Sequence, residues 1–271
     1  MVILPGSTIG IVGGGQLGKM LAEAANKMGY RVVVLDPSPK APAFSAAHAS
    51  IVAPFDGEEG YYQLAKESDV ITYEFENICT PLVAELNQRY NNIPQGEFPL
   101  YIAQNRRREK EALQSANLPI APFVVLEDPK RDLPKAIQHL NYPFVVKTQE
   151  GGYDGKGQVV VREESDLAAV SQLYGIPCVA EKFISYDREC SIIGTRSTTG
   201  EYRAFPIAEN VHIDNILFKT IAGSDAITAQ METQMNEMLL SFMERHNIVG
   251  TLAMELFVVG ESLYVNELAP R

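Results

Sequence analysis

Two lysines and four glycines lie close together between Lys147 and Gln158. An apolar strand-like run ends at Lys147, and Lys156 lies among the glycines before the next strand-like run begins. Glycine backbone can fold over a polyphosphate and donate amides to it, and lysines can meet the negative charge that builds up in phosphoryl transfer. No Gly-Lys-Ser/Thr segment opens a helix here, which excludes a Walker loop. The pattern favours a phosphate-binding flap over its alternative, an ordinary hairpin loop.

Two acidic residues, Glu255 and Glu267, lie on two apolar strand-like runs late in the sequence. A three-residue connection over 260–262 would place their carboxylates opposite each other on one face, whereas a two-residue turn would put them on opposite faces. Two like charges among apolar residues are costly unless a cation lies between them. Mg²⁺ that also bridges phosphates fits this pattern, so we predict a magnesium site at Glu255 and Glu267.

A glycine pattern, Gly13-x-Gly15-x-x-Gly18, follows a short apolar run and opens a helical pattern. Amides at such a helix start can bind a phosphate, and Asp36 follows at the distance typical of a ribose-binding acid. A phosphorylated substrate would use the same amides as a dinucleotide, and a tight turn without a ligand would need the same glycines. A nicotinamide-dependent dehydrogenase is therefore one alternative, although it explains neither the flap nor the paired acids.

Other charged residues carry less information. Residues 106–111 hold three arginines, one lysine and two glutamates on a predicted helix over 102–114, and we expect five of these six to be solvated. Glu209 and His212 are expected to be surface residues on a loop, because a single histidine is more often structural than catalytic.

The elements that must position these residues form two units. With 271 residues and about 150 residues per domain, the chain is long enough for roughly two domains. Residues 1–98 alternate apolar runs with helical patterns, which predicts a Rossmann-like α/β domain with a parallel sheet. A turn-rich stretch around 91–99 marks the boundary, and residues 99–271 predict an α+β domain with mostly antiparallel strands.

Composition excludes several classes of function. Hydrophobic residues make up 46% of the chain and its net charge is −11, which permits a sizeable core and argues against a nucleic-acid partner. No apolar run is long enough to span a membrane, and three widely spaced cysteines fit neither a disulfide framework nor a zinc pattern. We predict a cytoplasmic protein that binds neither membranes nor nucleic acid.

Taken in order, the glycine-rich unit, the basic helix, the flap and the terminal acids resemble the ATP-grasp superfamily. Segments 13–18, 72–77, 151–158, 209–212 and 266–271 resemble one family within it, the N5-carboxyaminoimidazole ribonucleotide synthases. The resemblance implies a pre-ATP-grasp domain over 1–98 and an ATP-grasp domain over 99–271, with a flap subdomain at about 120–185 and a catalytic subdomain at about 186–271. It also implies a homodimeric ligase of purine biosynthesis that carboxylates 5-aminoimidazole ribonucleotide through carboxyphosphate, using ATP, bicarbonate and Mg²⁺ but no biotin.

The same resemblance implies roles for individual residues. Those implied to bind ATP are Arg106, Lys147, Gly152, Tyr153, Asp154, Gly155, Lys156, Gly157, Gln158, Glu181, Lys182, Phe183, Ile184, Glu189, His212, Asn266 and Glu267. Those implied to bind the ribonucleotide are Gly15, Gln16, Leu17, Glu74 and Tyr153. Asp154 and Lys156 are implied to be catalytic, with Asp154 as the acid or base near the amine, and Glu255 and Glu267 are implied to hold Mg²⁺.

The chain departs from the family pattern at three points, and one of them is Asn215, which stands after His212 where the family typically has a glycine. Asn105 stands where the family usually has Asp, and we expect this change to loosen the start of the basic helix. The family continues well beyond the last motif, so we expect the C-terminal closing domain to be missing from this chain. Another ATP-grasp carboxylase or formyl-transfer ligase, and an inactive nucleotide-binding fragment, are the alternatives.

Overall fold

The computed structural model describes residues 2–152, 156–213 and 216–271. Four strands near the N-terminus form the predicted parallel sheet, and their order is β3-β2-β1-β4. They are β1 (Thr8–Val12), β2 (Arg31–Asp36), β3 (Ala49–Val52) and β4 (Val70–Tyr73). The helices that follow β1, β3 and β4 are α1 (Gln16–Lys27), α2 (Glu58–Glu67) and α3 (Thr80–Tyr90). Apolar side chains are buried on both faces of this sheet, as its near-continuous apolar strands require.

Two short helices connect the parallel sheet to the rest of the chain. They are α4 (Phe98–Ala103) and α5 (Arg106–Ser115). The single helix predicted over 102–114 is therefore wrong, because the backbone at Asn105 is extended, with φ −142° and ψ 117°. The chain turns there, and the N-terminus of α5 is exposed to the loop that follows Thr148.

A four-stranded antiparallel sheet in the order β5-β8-β6-β7 comes next. Its strands are β5 (Phe123–Leu126), β6 (Phe144–Thr148), β7 (Gln158–Val161) and β8 (Cys178–Lys182). Helix α6 (Pro129–Leu140) and a 3₁₀ segment, Glu164–Leu173, pack with it around one apolar core. The glycine-rich stretch joins β6 to β7, which places both of its lysines at one edge of this sheet.

The largest sheet has six strands and is also antiparallel. Its path is β12-β11-β9-β13-β14, and β10 pairs with β9. The strands are β9 (Arg188–Arg196), β10 (Tyr202–Ala204), β11 (Ala208–Ile213), β12 (Ile216–Ala222), β13 (Gly250–Val259) and β14 (Ser262–Pro270). Helix α7 (Ala229–Arg245) covers one face of the sheet with buried Met, Leu and Phe side chains. The other face is open and forms one side of the candidate site.

Across the described part of the chain, no helix is both long enough and apolar enough to cross a membrane.

Candidate active site

A cavity of about 640 Å³ collects residues from both antiparallel sheets and from the end of the parallel sheet. Many of the residues predicted from the sequence line it: Arg106, Gly152, Lys156, Gln158, Glu189, His212, Glu255, Asn266 and Glu267. Glu76 and Asn77, which follow β4, also line it, so the parallel sheet contributes one wall. Lys147, Gly157 and the strand residues Glu181, Lys182, Phe183 and Ile184 lie outside this lining.

The two predicted metal ligands lie opposite each other, as expected, but for a different reason. The turn between β13 and β14 contains two residues, since Val259 pairs with Ser262, and this turn alone would separate the carboxylates. A β-bulge shifts the register after Glu255, so that Glu267 pairs with Glu255 while Asn266 is the extra residue. The predicted three-residue turn is therefore wrong. The predicted pairing of Glu255 with Glu267 is present, and the bulge produces it.

Like charge and burial act together on Glu255. Its pKa is raised to about 7, first by burial and then by the nearby carboxylates of Glu267 and Glu189. A cation between Glu255 and Glu267 would relieve that repulsion. The described residues contain no group of three or more His, Cys, Asp or Glu side chains that could hold a metal ion. Two carboxylates with substrate phosphates as the remaining ligands are, however, a usual arrangement for Mg²⁺, so the residues present fit this ion.

Helix α5 begins at the cavity and is firmly capped. The side-chain oxygen of Asn105 accepts a hydrogen bond from the Arg108 amide at 3.2 Å, and its amide group donates to Glu150 at 2.9 Å. The Arg106 amide donates to the Gln149 carbonyl oxygen at 2.9 Å. The expectation that Asn105 loosens the helix start is therefore wrong, because asparagine caps as well as the aspartate it replaces and also binds the glycine-rich loop.

Two residues of this helix, Glu109 and Lys110, correct a second expectation. They were expected to be solvated, yet only 4% of Glu109 and 1% of Lys110 is exposed. Lys110 Nζ donates to the Asn266 carbonyl oxygen at 2.7 Å, and Glu109 accepts from the Leu268 amide at 2.6 Å. The signal that could have found them is helical spacing, because positions three and four after Arg106 share its face.

Lys110 also belongs to a buried charge network. Glu181 on β8 lies 3.1 Å from Lys110 Nζ and 3.2 Å from Lys147 Nζ. Burial alone would raise the pKa of Glu181, but the two ammonium groups outweigh it and lower the value to about 2. Burial lowers the pKa of Lys147, and Glu181 opposes that shift. The lysine predicted to contact phosphate is thus held by the Glu181 carboxylate, outside the cavity lining.

The residues that follow Glu181, which the resemblance also implies to bind ATP, lie next to backbone partners. Lys182 Nζ donates to the Tyr142 carbonyl oxygen at 3.1 Å, and the Phe183 amide donates to the Pro143 carbonyl oxygen at 3.2 Å. Ile184 follows them and is half-buried. Their placement keeps residues 182–184 next to the end of β8, adjacent to the buried charge network.

The imidazole of His212 contacts the carboxylate of Glu189 on the open face of the large sheet. Glu189 lies on β9 and pairs through its backbone with Asn210 of β11, and His212 follows after an irregularity in that strand. Glu209 and His212 are therefore strand residues, and the surface loop expected for them is wrong. The pair places a histidine beside a carboxylate at the wall of the cavity.

The N-terminal glycine loop lies outside the cavity lining and is held by two carboxylates. Asp36 accepts from the Gly14 amide at 2.8 Å, and Glu74 accepts from the Gly15 amide at 3.1 Å. Burial raises the pKa of Glu74. The next amides, those of Gln16 and Leu17 at the start of α1, have no hydrogen-bond acceptor among the described residues, so they are available to a phosphate.

Three predicted residues, Tyr153, Asp154 and Gly155, lie outside the described residues. Their neighbours Gly152 and Gly157 are described and lie close to functional side chains. A Cβ atom at Gly152 would lie 3.4 Å from the Arg106 guanidinium, and one at Gly157 would lie 2.8 Å from Thr148 Oγ1. The glycines therefore allow the loop to pack closely against α5 and the end of β6.

Comparison with known proteins gives the same assignment as the motifs. A family model for the ribonucleotide synthetase preATP-grasp domain matches residues 6–104, and one for the ATP-grasp domain matches residues 111–271. The chain is 46% identical over 269 residues to the N5-carboxyaminoimidazole ribonucleotide synthase of Staphylococcus aureus, covering 98% of this chain and 70% of that protein. The corresponding synthase of Staphylococcus haemolyticus is 44% identical over 268 residues, with the same coverage.

Solved structures agree. The Staphylococcus aureus N5-carboxyaminoimidazole synthetase complexed with ADP superposes with a TM-score of 0.94 at 44% identity, covering 99% of this chain and 71% of that one. The Aspergillus clavatus synthase in complex with ADP and 5-aminoimidazole ribonucleotide gives a TM-score of 0.86 at 25% identity, covering 98% and 70%. With its pre-ATP-grasp domain followed by an ATP-grasp domain, this chain belongs to the N5-carboxyaminoimidazole ribonucleotide synthase family.

Proposed function

We propose that this chain carboxylates 5-aminoimidazole ribonucleotide with ATP and bicarbonate, and so makes N5-carboxyaminoimidazole ribonucleotide for purine biosynthesis. The observation that carries the proposal is a single cavity lined by opposed carboxylates, Glu255 and Glu267, together with the cationic side chains of Arg106 and Lys156. A magnesium nucleotide needs this distribution of charge, with acids for the cation and cations for the phosphates. The similar synthases from Staphylococcus aureus and Aspergillus clavatus support 5-aminoimidazole ribonucleotide as the substrate that accepts the carboxyl group.

The proposed reaction has two steps. A bicarbonate oxygen attacks the γ-phosphorus of ATP, the bond from that phosphorus to the bridging oxygen breaks, and ADP leaves. The amine nitrogen of the ribonucleotide then attacks the carboxyl carbon of carboxyphosphate, phosphate leaves, and a base takes the proton of the amine. We assign the base to Asp154 and place Lys156, which lines the cavity, against the phosphate charge. Carboxyphosphate hydrolyses readily, so the reaction requires a site that excludes water.

ATP is proposed to lie along the cavity. The lining positions of Gly152, Gln158, Glu189 and His212 support this placement, and the capped start of α5 aims Arg106 at the same space. Lys147 would reach the phosphates from the side, with its ammonium held by Glu181 and 18% of its side chain exposed. The remaining ATP-binding residues in the proposal are Tyr153, Asp154, Gly155, Lys156, Gly157, Lys182, Phe183, Ile184, Asn266 and Glu267.

Glu255 and Glu267 are the proposed magnesium ligands. They are paired across two strands, and burial together with nearby carboxylates raises the pKa of Glu255, which supports a cation at this pair. Mg²⁺ bound there would neutralise phosphate charge during phosphoryl transfer. The bulge places the side chain of Asn266 next to Glu267 on the partly exposed side of β14, where an amide oxygen can add a ligand or a hydrogen bond.

The ribonucleotide is proposed to bind at the N-terminal glycine loop through its phosphate. The amides of Gln16 and Leu17 lie at the positive end of α1, and Glu74 fixes the loop by accepting from Gly15. Arg271 donates to the Glu74 carbonyl oxygen at 3.3 Å, which joins this loop to the strand that bears the magnesium ligands. Tyr153 completes the proposed acceptor site.

The proposal also includes the oligomeric state and the cellular compartment. Family membership supports a homodimer. The described cysteines, Cys79, Cys178 and Cys190, form no disulfide, which supports a reducing compartment such as the cytoplasm.

The proposal is tested by measuring ADP release from ATP, Mg²⁺ and bicarbonate with and without 5-aminoimidazole ribonucleotide. We expect ADP release to depend on the ribonucleotide, with one ADP formed per carbamate detected as trapped ¹⁴C from labelled bicarbonate. Glu267→Gln should lower kcat at least about 100-fold, because metal stabilisation of transferred charge is worth several kcal/mol.

A matched control is Glu261→Gln, which changes an exposed carboxylate in the turn between the same two strands. Its turnover should equal that of the unmodified chain. Ribonucleotide-independent ADP release, or full activity in Glu267→Gln, would contradict the proposed reaction or the proposed metal ligand respectively.

A further inference from the structure

The β-bulge at Asn266 decides where the Glu267 carboxylate lies. Leu263 and Val265 are buried before the bulge, and Leu268 is buried after it, so the alternation of buried residues changes phase there. Without the extra residue, strict alternation would place Glu267 with the buried set, on the face away from Glu255. Something must hold the bulge, because an extra residue loses its ladder hydrogen bonds.

Helix α5 supplies those missing contacts through two side chains. Lys110 Nζ donates to the carbonyl oxygen of Asn266 at 2.7 Å, and Glu109 accepts from the amide of Leu268 at 2.6 Å. The two contacts bracket Glu267 on either side along the backbone. We propose that Glu109 and Lys110 are positioning residues, which clamp the bulge from both sides and thereby fix Glu267 opposite Glu255 for magnesium. This inference rests on the proposed function of the site.

The clamp is itself anchored at both ends. Lys110 lies 3.1 Å from Glu181, so its ammonium is held by the same carboxylate that holds Lys147. The start of α5 is fixed by the Asn105 cap and by the bond from the Arg106 amide to Gln149. A shift of α5 would therefore move the Arg106 guanidinium, the Lys110 ammonium and the bulge together. One short helix thus couples the phosphate side of the cavity to its metal side.

Burial of these groups is more than a packing device. Buried ionisable groups can often be replaced by apolar side chains of similar volume without loss of stability, so stability alone does not explain why Glu109 and Lys110 are ionisable residues. What an apolar side chain cannot provide is a directional bond to one chosen carbonyl oxygen and one chosen amide. Outer-shell bonds of this kind orient metal ligands, and their loss typically weakens metal binding about 10- to 100-fold.

The test measures ADP affinity by calorimetry, once in EDTA and once in excess Mg²⁺, for the chain and its variants. The ratio of the two affinities is the magnesium increment. Glu109→Leu removes the bond to Leu268 and is expected to reduce the increment about 10- to 100-fold while ADP affinity in EDTA stays unchanged. Glu109→Gln retains an oxygen that accepts from the same amide, so it should restore the increment. Lys110→Met, which removes the bond to Asn266, should behave like Glu109→Leu.

The matched control is Asp132→Asn, which alters a carboxylate that is also almost fully buried, 2% exposed, but lies on α6 away from the cavity. Its magnesium increment should be unchanged whatever its stability. Circular dichroism checks folding, and if Glu109→Leu does not fold, Lys110→Met against Asp132→Asn provides the same comparison.

The outcomes separate the two levels of the proposal. An unmodified chain whose ADP affinity does not respond to Mg²⁺ overturns the metal site and, with it, the clamp. An unmodified chain that does respond, with variants Glu109→Leu and Lys110→Met responding equally well, overturns the clamp alone. A reduced increment in Asp132→Asn would also overturn it, because general destabilisation would then explain the effect.

Discussion

Glu255 lies directly opposite Glu267 across β13 and β14, although the two-residue turn between these strands would by itself place the two on opposite faces. The extra residue Asn266 changes the phase of β14 and brings both carboxylates to the side of the cavity. Because Glu255 is partly buried and faces the carboxylates of Glu267 and Glu189, its pKa rises to about 7. The pairing therefore creates a repulsion that a divalent cation would relieve.

The first prediction concerns the pH dependence of stability without metal. Between pH 4.5 and about 7, the folded chain keeps the proton on Glu255 whereas the unfolded chain has lost it. The free energy of unfolding therefore falls as pH rises through this window. Glu255→Gln removes that loss, so the variant should match the unmodified chain at pH 5 and exceed it by about 2 kcal/mol at pH 8. Urea unfolding in EDTA at the two pH values measures this.

The difference between the two proteins isolates Glu255. Glu109, whose pKa is raised to about 8 by burial, contributes the same slope to both and cancels. Adding Mg²⁺ to the ADP-bound proteins should further stabilise the unmodified chain and not the variant. Equal stability of the two proteins at pH 8 would mean that Glu255 is charged at no cost, and the repulsion would be refuted.

The second prediction concerns the carboxylate between two lysines. Glu181 is the counter-charge for both Lys110 and Lys147, at 3.1 and 3.2 Å. Glu181→Gln leaves two buried ammonium groups near each other without that charge, and it should cost about 3–5 kcal/mol at pH 7. Because burial already lowers the pKa of Lys147, this ammonium can lose its proton, and the cost should shrink as pH rises toward 10. Urea unfolding at pH 7 and pH 10 measures both effects.

An exposed ion pair provides the control for Glu181. Glu201 lies 2.9 Å from Arg203, and both side chains are mostly exposed. Glu201→Gln should change the free energy of unfolding by less than about 1 kcal/mol at either pH, because water screens such pairs. A similar loss of stability for the two substitutions would show that the buried ion pairs of Glu181 contribute no more to stability than an exposed ion pair does.

The sequence was sufficient for features that depend on local spacing. Alternation of apolar runs and helical patterns predicted the parallel sheet near the N-terminus and the antiparallel pairing after it. The types and spacing of Lys147, Lys156, Glu255 and Glu267 predicted a phosphate and metal site. Three of these four residues line one cavity, and their roles stay a prediction. Those predictions needed only the chain's own periodicity and the chemistry of the side chains.

The sequence was insufficient where a tertiary contact decides the outcome. Glu109 and Lys110 sit in a run of charges that is typical of a solvated helix face, and only packing of α5 against β14 and β8 buries them. The bulge left one trace in the sequence, since apolar residues Leu263 and Val265 are followed by Leu268 in the opposite phase. This change of phase could have predicted the bulge, and with it a two-residue turn in place of the three-residue turn.

The third prediction separates phosphate binding from helix stability at the start of α1. Leu17 is 42% exposed, so Leu17→Asp removes little buried surface and puts a carboxylate at the positive end of the helix. That charge should raise the free energy of unfolding by about 0.3–1 kcal/mol. It should also repel the phosphate of 5-aminoimidazole ribonucleotide and weaken its binding about tenfold, a loss of about 1.4 kcal/mol. A rise in stability together with a loss of affinity is a combination that general damage to the fold cannot produce.

The control for this prediction is Met20→Asp, which adds the same charge to the same helix at a residue that is 56% exposed but lies one turn further from its start. Ribonucleotide affinity should be unchanged there. Calorimetry with the ribonucleotide and with ribose 5-phosphate measures binding, and the phosphate sugar alone should show the same ranking because the amides contact only its phosphate. If Leu17→Asp gains stability but binds both ligands as well as the unmodified chain does, the phosphate does not lie on the Gln16 and Leu17 amides. The ribonucleotide would then bind nearer to Glu76 and Asn77 in the main cavity.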